Sequence, residues 1–314
     1  MSKTSIIIGG AGFIGSHLTD VCLGKGHQVW VYDNFASGKR EFVQDHSNLT
    51  IVEGDILNQD FLHETISLIK PDIAFHLAAI HYIPLCEEQP ATALQINVEG
   101  TQRVLNACAN IIPRVMFTST GAIYDPEIST ALNENSAIST KDVYGLTKHT
   151  GERLVEHYVR KGRGQAVIAR LFNAVGRRET NPHLIPVIMK QLVDGDRHIE
   201  LGNLYPRRDY IHVEDIAEAL FALGTMEMED GIDIFNVGSA IEFSVGELVE
   251  LCGEAIGEYI KIESVPSRRR KYDRPNQLAD IAHIKLKCGW EPKRDVRQAL
   301  EEIWLKESRS QTDQ

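Results

Sequence analysis

The chain has 314 residues, 43% of them hydrophobic and 25% charged, and a formal net charge of −11. That length can bury a large core as one large or two modest domains, and the acidic balance argues against nonspecific nucleic-acid binding, which needs a basic surface. No apolar run approaches a membrane span, the three-isoleucine strand after Met1-Ser2-Lys3 is too short for a signal h-region, and five scattered cysteines (Cys22, Cys86, Cys108, Cys252, Cys288) form no CxxC pair, so the expectation is a reduced, cytoplasmic protein.

Ser5-Ile6-Ile7-Ile8 reads as a strand, and Gly9-Gly10-Ala11-Gly12-Phe13-Ile14-Gly15 follows at once. A glycine turn between a strand and a helix-patterned stretch (Phe13, Ile14, Leu18, Val21, Cys22) lets a pyrophosphate rest on the helix N-terminus with no Cβ in its way. A second strand, Gln28 to Tyr32, ends in Asp33. A carboxylate there accepts from both ribose hydroxyls and repels a 2′-phosphate, which favours NAD over NADP. Lys39 and Arg40, a few residues on, could still tolerate the phosphate.

The alternation continues with strand Leu49–Val52, Gly54-Asp55-Ile56, helix Gln59–Ile69 and strand Ile73–Leu77, which ends in the small pair Ala78-Ala79. Ala91 to Asn110 reads as one long helix carrying Asn97, and Val115–Thr118 as the next strand. Strand and helix in regular alternation predict an α/β doubly wound parallel sheet, the Rossmann arrangement, with ligands in the crevice at the strand C-termini.

Strand Val115–Thr118 runs into Ser119-Thr120-Gly121-Ala122-Ile123-Tyr124, and a polar loop leads to Tyr144-Gly145-Leu146-Thr147-Lys148. On a helix, Tyr144 and Lys148 share one face, one turn apart. An ammonium fixed beside a phenol favours phenolate, and such a tyrosine can exchange a proton with an alcohol near neutral pH. Thr120 could share a hydrogen bond with the same substrate oxygen; capping or turn chemistry is its alternative role. After Phe172-Asn173 the pattern is less regular, as a substrate domain grafted onto the sheet would be. His183-Leu184-Ile185-Pro186 begins a helix to about Val193, residues 201–208 form a loop, Ile211–Leu223 returns to strand-end and helix, and Ile234–Val237 is a strand. The expected division is 1–172, with return segments at about 212–237, against 173–211 and 238–314. The twelve histidines show no ligand-spaced cluster, so no metal is expected.

These residues resemble the extended short-chain dehydrogenase/reductases, in particular the nucleotide-sugar epimerase/dehydratase branch typified by UDP-galactose 4-epimerase. The resemblance runs from Ile6 to about Trp304. It rests on the Gly9–Gly15 run, Asp33-Asn34, Gly54-Asp55-Ile56, His76-Leu77-Ala78-Ala79, Asn97, Tyr144-x-x-x-Lys148, Arg208-Asp209-Tyr210-Ile211-His212-Val213 and Gly289-Trp290-Glu291-Pro292. It implies Tyr144 as the acid/base, Lys148 as the nicotinamide-ribose ligand that lowers the tyrosine pKa, and Thr120 as the third catalytic residue. It implies cofactor contacts at Gly9, Gly12, Phe13, Ile14, Asp33, Asn34, Ser37, Gly38, Asp55, Ile56, Leu77, Ala78, Ala79 and Asn97. Substrate contacts are implied at His81, Thr120, Asn173, Leu184, Asn203, Arg208, Arg270 and Asp273, and a homodimer through the Ala91–Asn110 and Tyr144–Lys161 helices.

Arg177, Arg178, Arg207, Arg208, Arg268, Arg269, Arg270 and Lys271 crowd the second half; of these, Arg208 and Arg270 are expected at a diphosphate. The expected reaction is removal of the sugar C4 hydroxyl proton by Tyr144 as hydride passes to NAD, giving a 4-keto intermediate. Family dehydratases carry Asp-Glu directly after the threonine; here Gly121-Ala122 follows Thr120, which favours a 4-epimerase and leaves room for the sugar to turn. His81-Tyr82-Ile83-Pro84 and Asp125-Pro126 depart from the family pattern and leave a single-step dehydrogenase or ketoreductase open. A non-catalytic NAD-binding regulator is the remote alternative.

Overall fold

The structure, a computed structural model, describes residues 3–229, 231–268 and 274–312. The first half runs β1 (Thr4–Ile8), α1 (Phe13–Gly24), β2 (Gln28–Asp33), β3 (Leu49–Glu53), α2 (Gln59–Ile69), β4 (Ile73–His76), α3 (Ile83–Glu88), α4 (Pro90–Leu94), α5 (Gly100–Cys108), β5 (Arg114–Thr120) and α6 (Val143–Arg160). The second half runs β6 (Gln165–Leu171), β7 (Asn173–Val175), α7 (Leu184–Val193), β8 (His198–Leu201), β9 (Arg207–His212), α8 (Val213–Thr225), β10 (Ile232–Val237), β11 (Glu242–Ser244), α9 (Val245–Ile256), β12 (Lys261–Ser264), α10 (Ala282–Cys288) and α11 (Val296–Thr312).

Among the described residues, seven parallel strands form one sheet in the order β10-β6-β5-β4-β1-β2-β3. Helices cover both of its faces, so its strands are continuous apolar runs rather than alternating ones. Ile6, Ile7 and Ile8 are all fully buried: Ile7 packs with Leu18 of α1 and Leu220 of α8, while Ile6 and Ile8 point the other way, toward Leu62 of α2 and Val155 of α6. The period-two geometry of a strand divides them. The strand order reverses between β1 and β4, which opens a crevice at their C-terminal ends for the Gly9 turn and Ala78.

Two smaller sheets, β11-β9-β7 and β12-β8, pack with α7, α9 and α11 around a further core that includes Ile188, Leu192, Leu248 and Leu300. The chain then returns to the main sheet, where β10 pairs β6. Ile284 of α10 and Trp290 join the core of the main sheet. The expected long helix Ala91–Asn110 is divided. Between α4 and α5 the turn Gln95–Glu99 is widened into a π-helix. Asn97 in that turn sends its side chain to a neighbouring loop, while its carbonyl accepts from Thr101 Oγ1 at 2.6 Å. Such bulges put one residue of a helix out of register at functional sites.

Candidate active site

The Gly9–Gly15 turn is shaped by backbone contact. Gly9 has φ +86°, and a Cβ there would lie 2.6 Å from the Ala78 nitrogen; one on Gly15 would lie 2.0 Å from the Gly9 carbonyl oxygen. Gly12 caps α1, so Phe13 and Ile14 open the helix and their N–H groups belong to the unsatisfied first turn. Leu77 and Ala78 both donate to the Ile8 carbonyl, at 2.8 and 2.9 Å, which brings the end of β4, with Ala79 after it, alongside the turn. At the end of β2, Asp33 accepts from Ala11 N–H and Phe35 N–H, each at 2.8 Å. Burial pushes its carboxyl above the usual range and those two donors oppose the shift. Each oxygen keeps a lone pair for a ribose hydroxyl. Gly38 packs on the Ala11 backbone with exposed Ser37 beside it, and Asn34 donates to Asp55 Oδ2 at 3.0 Å, next to buried Ile56. Lys39 and Arg40 are paired with Glu41 at 3.7 Å and Asp45 at 2.6 Å rather than turned to a 2′-phosphate. This donor set and close-packed cradle fit NAD.

Tyr144 and Lys148 lie in the first two turns of α6, which Asp142 caps by accepting from Gly145 N–H at 2.7 Å. Gly151, one turn further, leaves room for Phe117 of β5: a Cβ there would stand 2.6 Å from the ring. Lys148, only 4% exposed, sets its Nζ 4.5 Å from the centre of that same ring. Thr120 ends β5; its Oγ1 accepts from Ala122 N–H at 3.1 Å, and a side-chain hydrogen bond joins its hydroxyl to the Tyr144 phenol. Burial brings Lys148 down to about 7, against the pull of Glu152. The phenol is held above its ordinary range rather than below it, because burial, together with Cys86 and Asp142 nearby, outweighs the Thr120 hydrogen bond. The expected depression of Tyr144 by Lys148 is therefore corrected for this state.

The buried Asn97 amide accepts from Ile80 N–H at 2.8 Å and donates to Ile80 O at 2.9 Å and Thr147 Oγ1 at 3.0 Å. Both of its donors thus go to protein, and they brace the loop after β4 against the helix of Lys148. In that loop, His81 Nε2 meets Asn181 Nδ2 at 3.0 Å. One potential donor atom each from His81, Glu179 and His183 lies within 4.8 Å of the others, a cluster that residue spacing along the chain did not reveal.

Asn173 donates to the Asp209 carbonyl at 3.0 Å, Leu184 opens α7 behind His183, and Asn203 lies between β8 and β9. Arg208 Nη1 donates to the carbonyls of Arg207 and Arg274, both at 2.8 Å. Arg270 and Asp273 lie outside the described residues, as do Arg269 and Lys271. Arg177, Arg178, Arg207 and Arg268 are ion-paired, with Glu302, Asp20, Glu242 and Glu200 among their partners. Asp125, one of the positions that depart from the family pattern, accepts from Glu127 N–H at 3.1 Å in a turn.

Two features near Thr120 were not legible in the sequence. A Cβ on Gly121 would lie 2.8 Å from Gln277 Nε2 and 3.2 Å from Phe172, so the space that glycine leaves is filled by protein, not kept for a turning sugar. Arg274, only 8% exposed, donates to the carbonyls of Gly121, Ala122 and Tyr124 and fixes the turn that follows Thr120.

A parallel sheet with this crevice, and a tyrosine and lysine one helical turn apart beside it, define a dinucleotide-dependent enzyme that acts on an alcohol or ketone. The chain belongs to the NAD dependent epimerase/dehydratase family, whose model matches residues 5–238. It is 32% identical over 317 residues to a UDP-glucose 4-epimerase of Corynebacterium glutamicum, with 95% of this chain and 94% of that one covered. It is 29% identical to a UDP-N-acetyl-alpha-D-glucosaminuronate decarboxylase of Bacillus cytotoxicus, covering 98% and 99%. The crystal structure of a UDP-glucose 4-epimerase from Brucella ovis in complex with NAD matches with a TM-score of 0.90 at 29% identity, covering 98% and 99%.

Proposed function

We propose that this chain is an NAD-dependent epimerase that inverts the C4 carbinol of a UDP-hexose by way of a 4-keto sugar. The observation that carries this reading is the pairing of Tyr144, hydrogen-bonded to Thr120 at the C-terminal end of β5, with buried Lys148 one turn along the same helix. When bound, NAD supplies the hydride acceptor, the returning hydride and, when oxidised, a positive ring that favours phenolate. Tyr144 takes the C4 hydroxyl proton as the alcohol is oxidised and returns it as the ketone is reduced. Thr120 orients the substrate oxygen toward the phenol. Lys148, brought to about 7, can carry or release a proton near neutral pH, and its ammonium form holds the ribose beside the reacting carbon.

Gly9, Gly12 and the first N–H groups of α1 hold the pyrophosphate, Asp33 the adenosine ribose, and Asp55 and Ile56 the adenine. Asn97 keeps the cleft in shape. Asn173, Leu184, Asn203 and Arg208 line the nucleotide-sugar end, and the turning ketosugar takes its space toward His81 and Leu184. The UDP group is supported by the named specificity of the relatives above. No carboxylate follows Thr120, which argues against dehydration.

A second reading, decarboxylation of a UDP-hexuronate through the same oxidation, is favoured by the decarboxylase relative that spans 98% of this chain. Incubation with UDP-hexoses, UDP-glucuronate and the GDP-, CDP- and dTDP-hexoses separates the outcomes. An epimer without net NADH supports the first reading, carbon dioxide from UDP-glucuronate moves the assignment to the second, and stoichiometric NADH makes the chain a dehydrogenase. Tyr144→Phe should abolish turnover yet keep NAD binding; full activity in that variant overturns the assignment of Tyr144.

The homodimer is supported by Leu94 and Leu146, 43% and 47% exposed on α4 and α6, and light scattering on the eluting protein tests it. No helix among the described residues is long and apolar enough to cross a membrane. Five free cysteines support a reducing, cytoplasmic setting.

A further inference from the structure

We propose that His81, Glu179 and His183 form a binding site for one first-row divalent cation of the Zn²⁺ type at the mouth of the substrate cleft. Two imidazoles and a carboxylate with further positions open are the donor set of such ions, whereas Mg²⁺ and Ca²⁺ prefer oxygen alone. One donor atom from each of the three residues already lies within 4.8 Å of the others, so small rotations close them on a common centre.

The state of each ring is suited to ligation. His81 Nε2 faces the Asn181 amide NH₂ at 3.0 Å and so carries a lone pair, while the ring also bonds the Ala79 carbonyl, which the other nitrogen must do as a donor. A metal-ligating histidine commonly gives its second N–H to a backbone carbonyl in this way. His183 Nδ1 and Glu179 Oε2 share a proton across 3.2 Å. On binding, His183 gives its Nδ1 lone pair as the neutral ring with its proton on Nε2, and Glu179 binds as the carboxylate; that one negative charge offsets half of the cation's, and water or a substrate oxygen at the open positions completes the site. The His183 ring is held between Tyr82 and His81, with ring centres 5.4 and 5.5 Å away. A half-turn of the Asn181 amide brings its Oδ1 to the same centre as a fourth donor. His81 is close enough to Lys148 to feel its charge, and Leu184 adjoins His183, which puts the open positions at the sugar end. That such a cation would take an oxygen of the sugar rests on the function proposed above; the metal site itself does not.

The test uses the full chain, stripped with EDTA and titrated with Co²⁺ alone, read by visible absorption, with Zn²⁺ then added to displace it. The expected result is one saturable equivalent, displaced by Zn²⁺ and indifferent to Mg²⁺. Glu179→Gln and His183→Ala should each weaken it by about tenfold or more. His198→Ala, at an exposed histidine paired with Glu263 at 2.9 Å, should change nothing. Asn181→Asp should tighten binding, a gain that misfolding cannot produce. No saturable equivalent, or unchanged affinity in Glu179→Gln and His183→Ala, overturns the site and leaves a hydrogen-bonded triad.

Discussion

Arg170 grips Glu152 through two parallel hydrogen bonds, Nε to Oε1 at 2.9 Å and Nη2 to Oε2 at 2.8 Å, with the side chains only 3% and 1% exposed. Arg170 also donates to Tyr124 Oη at 3.0 Å, and Tyr124 donates to Asn236 at 2.6 Å, so the pair ties α6 to β6 and β10. Glu152 stands one turn beyond Lys148 and opposes the fall of its pKa.

Removing the guanidinium leaves a buried carboxylate without its partner. Arg170→Met should therefore lose about 3–5 kcal/mol of stability in urea unfolding. The double variant Arg170→Met/Glu152→Met should recover much of that loss, since replacing both charges removes the stranded one. A double variant as unstable as the single one would show that packing, not charge, is at stake.

Lys148 should make stability depend on pH in an unusual window. Its ordinary value of 10.5 falls to about 7 in the folded chain, so between those values the unfolded chain binds the extra proton. Its contribution to stability therefore rises with pH across that interval, and the full penalty stands below it. In NAD-free protein, Lys148→Met should gain more over the parent at about pH 6 than at about pH 9.5 in paired denaturant titrations. An equal gain at both would mean that the lysine keeps its ordinary value.

Asn97 offers a sharper separation. Asn97→Ala leaves the Ile80 N–H, the Ile80 carbonyl and the Thr147 hydroxyl each short of one partner, a cost of about 1–3 kcal/mol per buried group left unsatisfied. NAD affinity should fall with it, as the loop after β4 loosens from α6. Thr147→Val keeps both Ile80 bonds and should cost much less. Fluorescence titration of NADH against both variants reads the difference, and equal losses would remove the brace.

Glycines in α1 should split by position. A Cβ at Gly15 meets the Gly9 carbonyl, a backbone atom that cannot swing aside, so Gly15→Ala should lose NAD binding along with about 1–3 kcal/mol or more of stability. Gly24, with nothing within 4 Å of an added Cβ, should accept alanine at no cost, or gain up to about 1 kcal/mol. Thermal melts with and without NAD compare the two directly.

What the sequence made legible is what neighbouring residues decide. The Gly9–Gly15 turn, Asp33 and the Tyr144–Lys148 spacing are local, and the apolar runs and periods placed the main strands and α2 and α7 to within a few residues. Interactions between distant segments were hidden. Nothing in the helical period from Ala91 to Asn110 shows that Ile80 will draw the Asn97 side chain out of the turn. Nothing near Gly121 tells that Gln277 will occupy the space beside it. His81 and His183 stand about a hundred positions apart, and only the path of the chain after β7 brings them together. The electrostatics of Tyr144 and Lys148 were hidden for another reason: spacing fixes which face a side chain takes, but burial is the largest cause at both groups.

The main sheet is completed late. β6, with Ala166 to Arg170 buried, pairs with β10 on its outer side, and β10 begins only at Ile232. A ribosome that has released residues up to Leu171 has delivered six strands and left β6 with a row of unmet backbone amides and carbonyls. Some sixty more residues must emerge before that flank is shielded. Chain growth at about 5–20 residues per second makes that an interval of several seconds, during which β6 offers an open strand edge to any other nascent chain nearby.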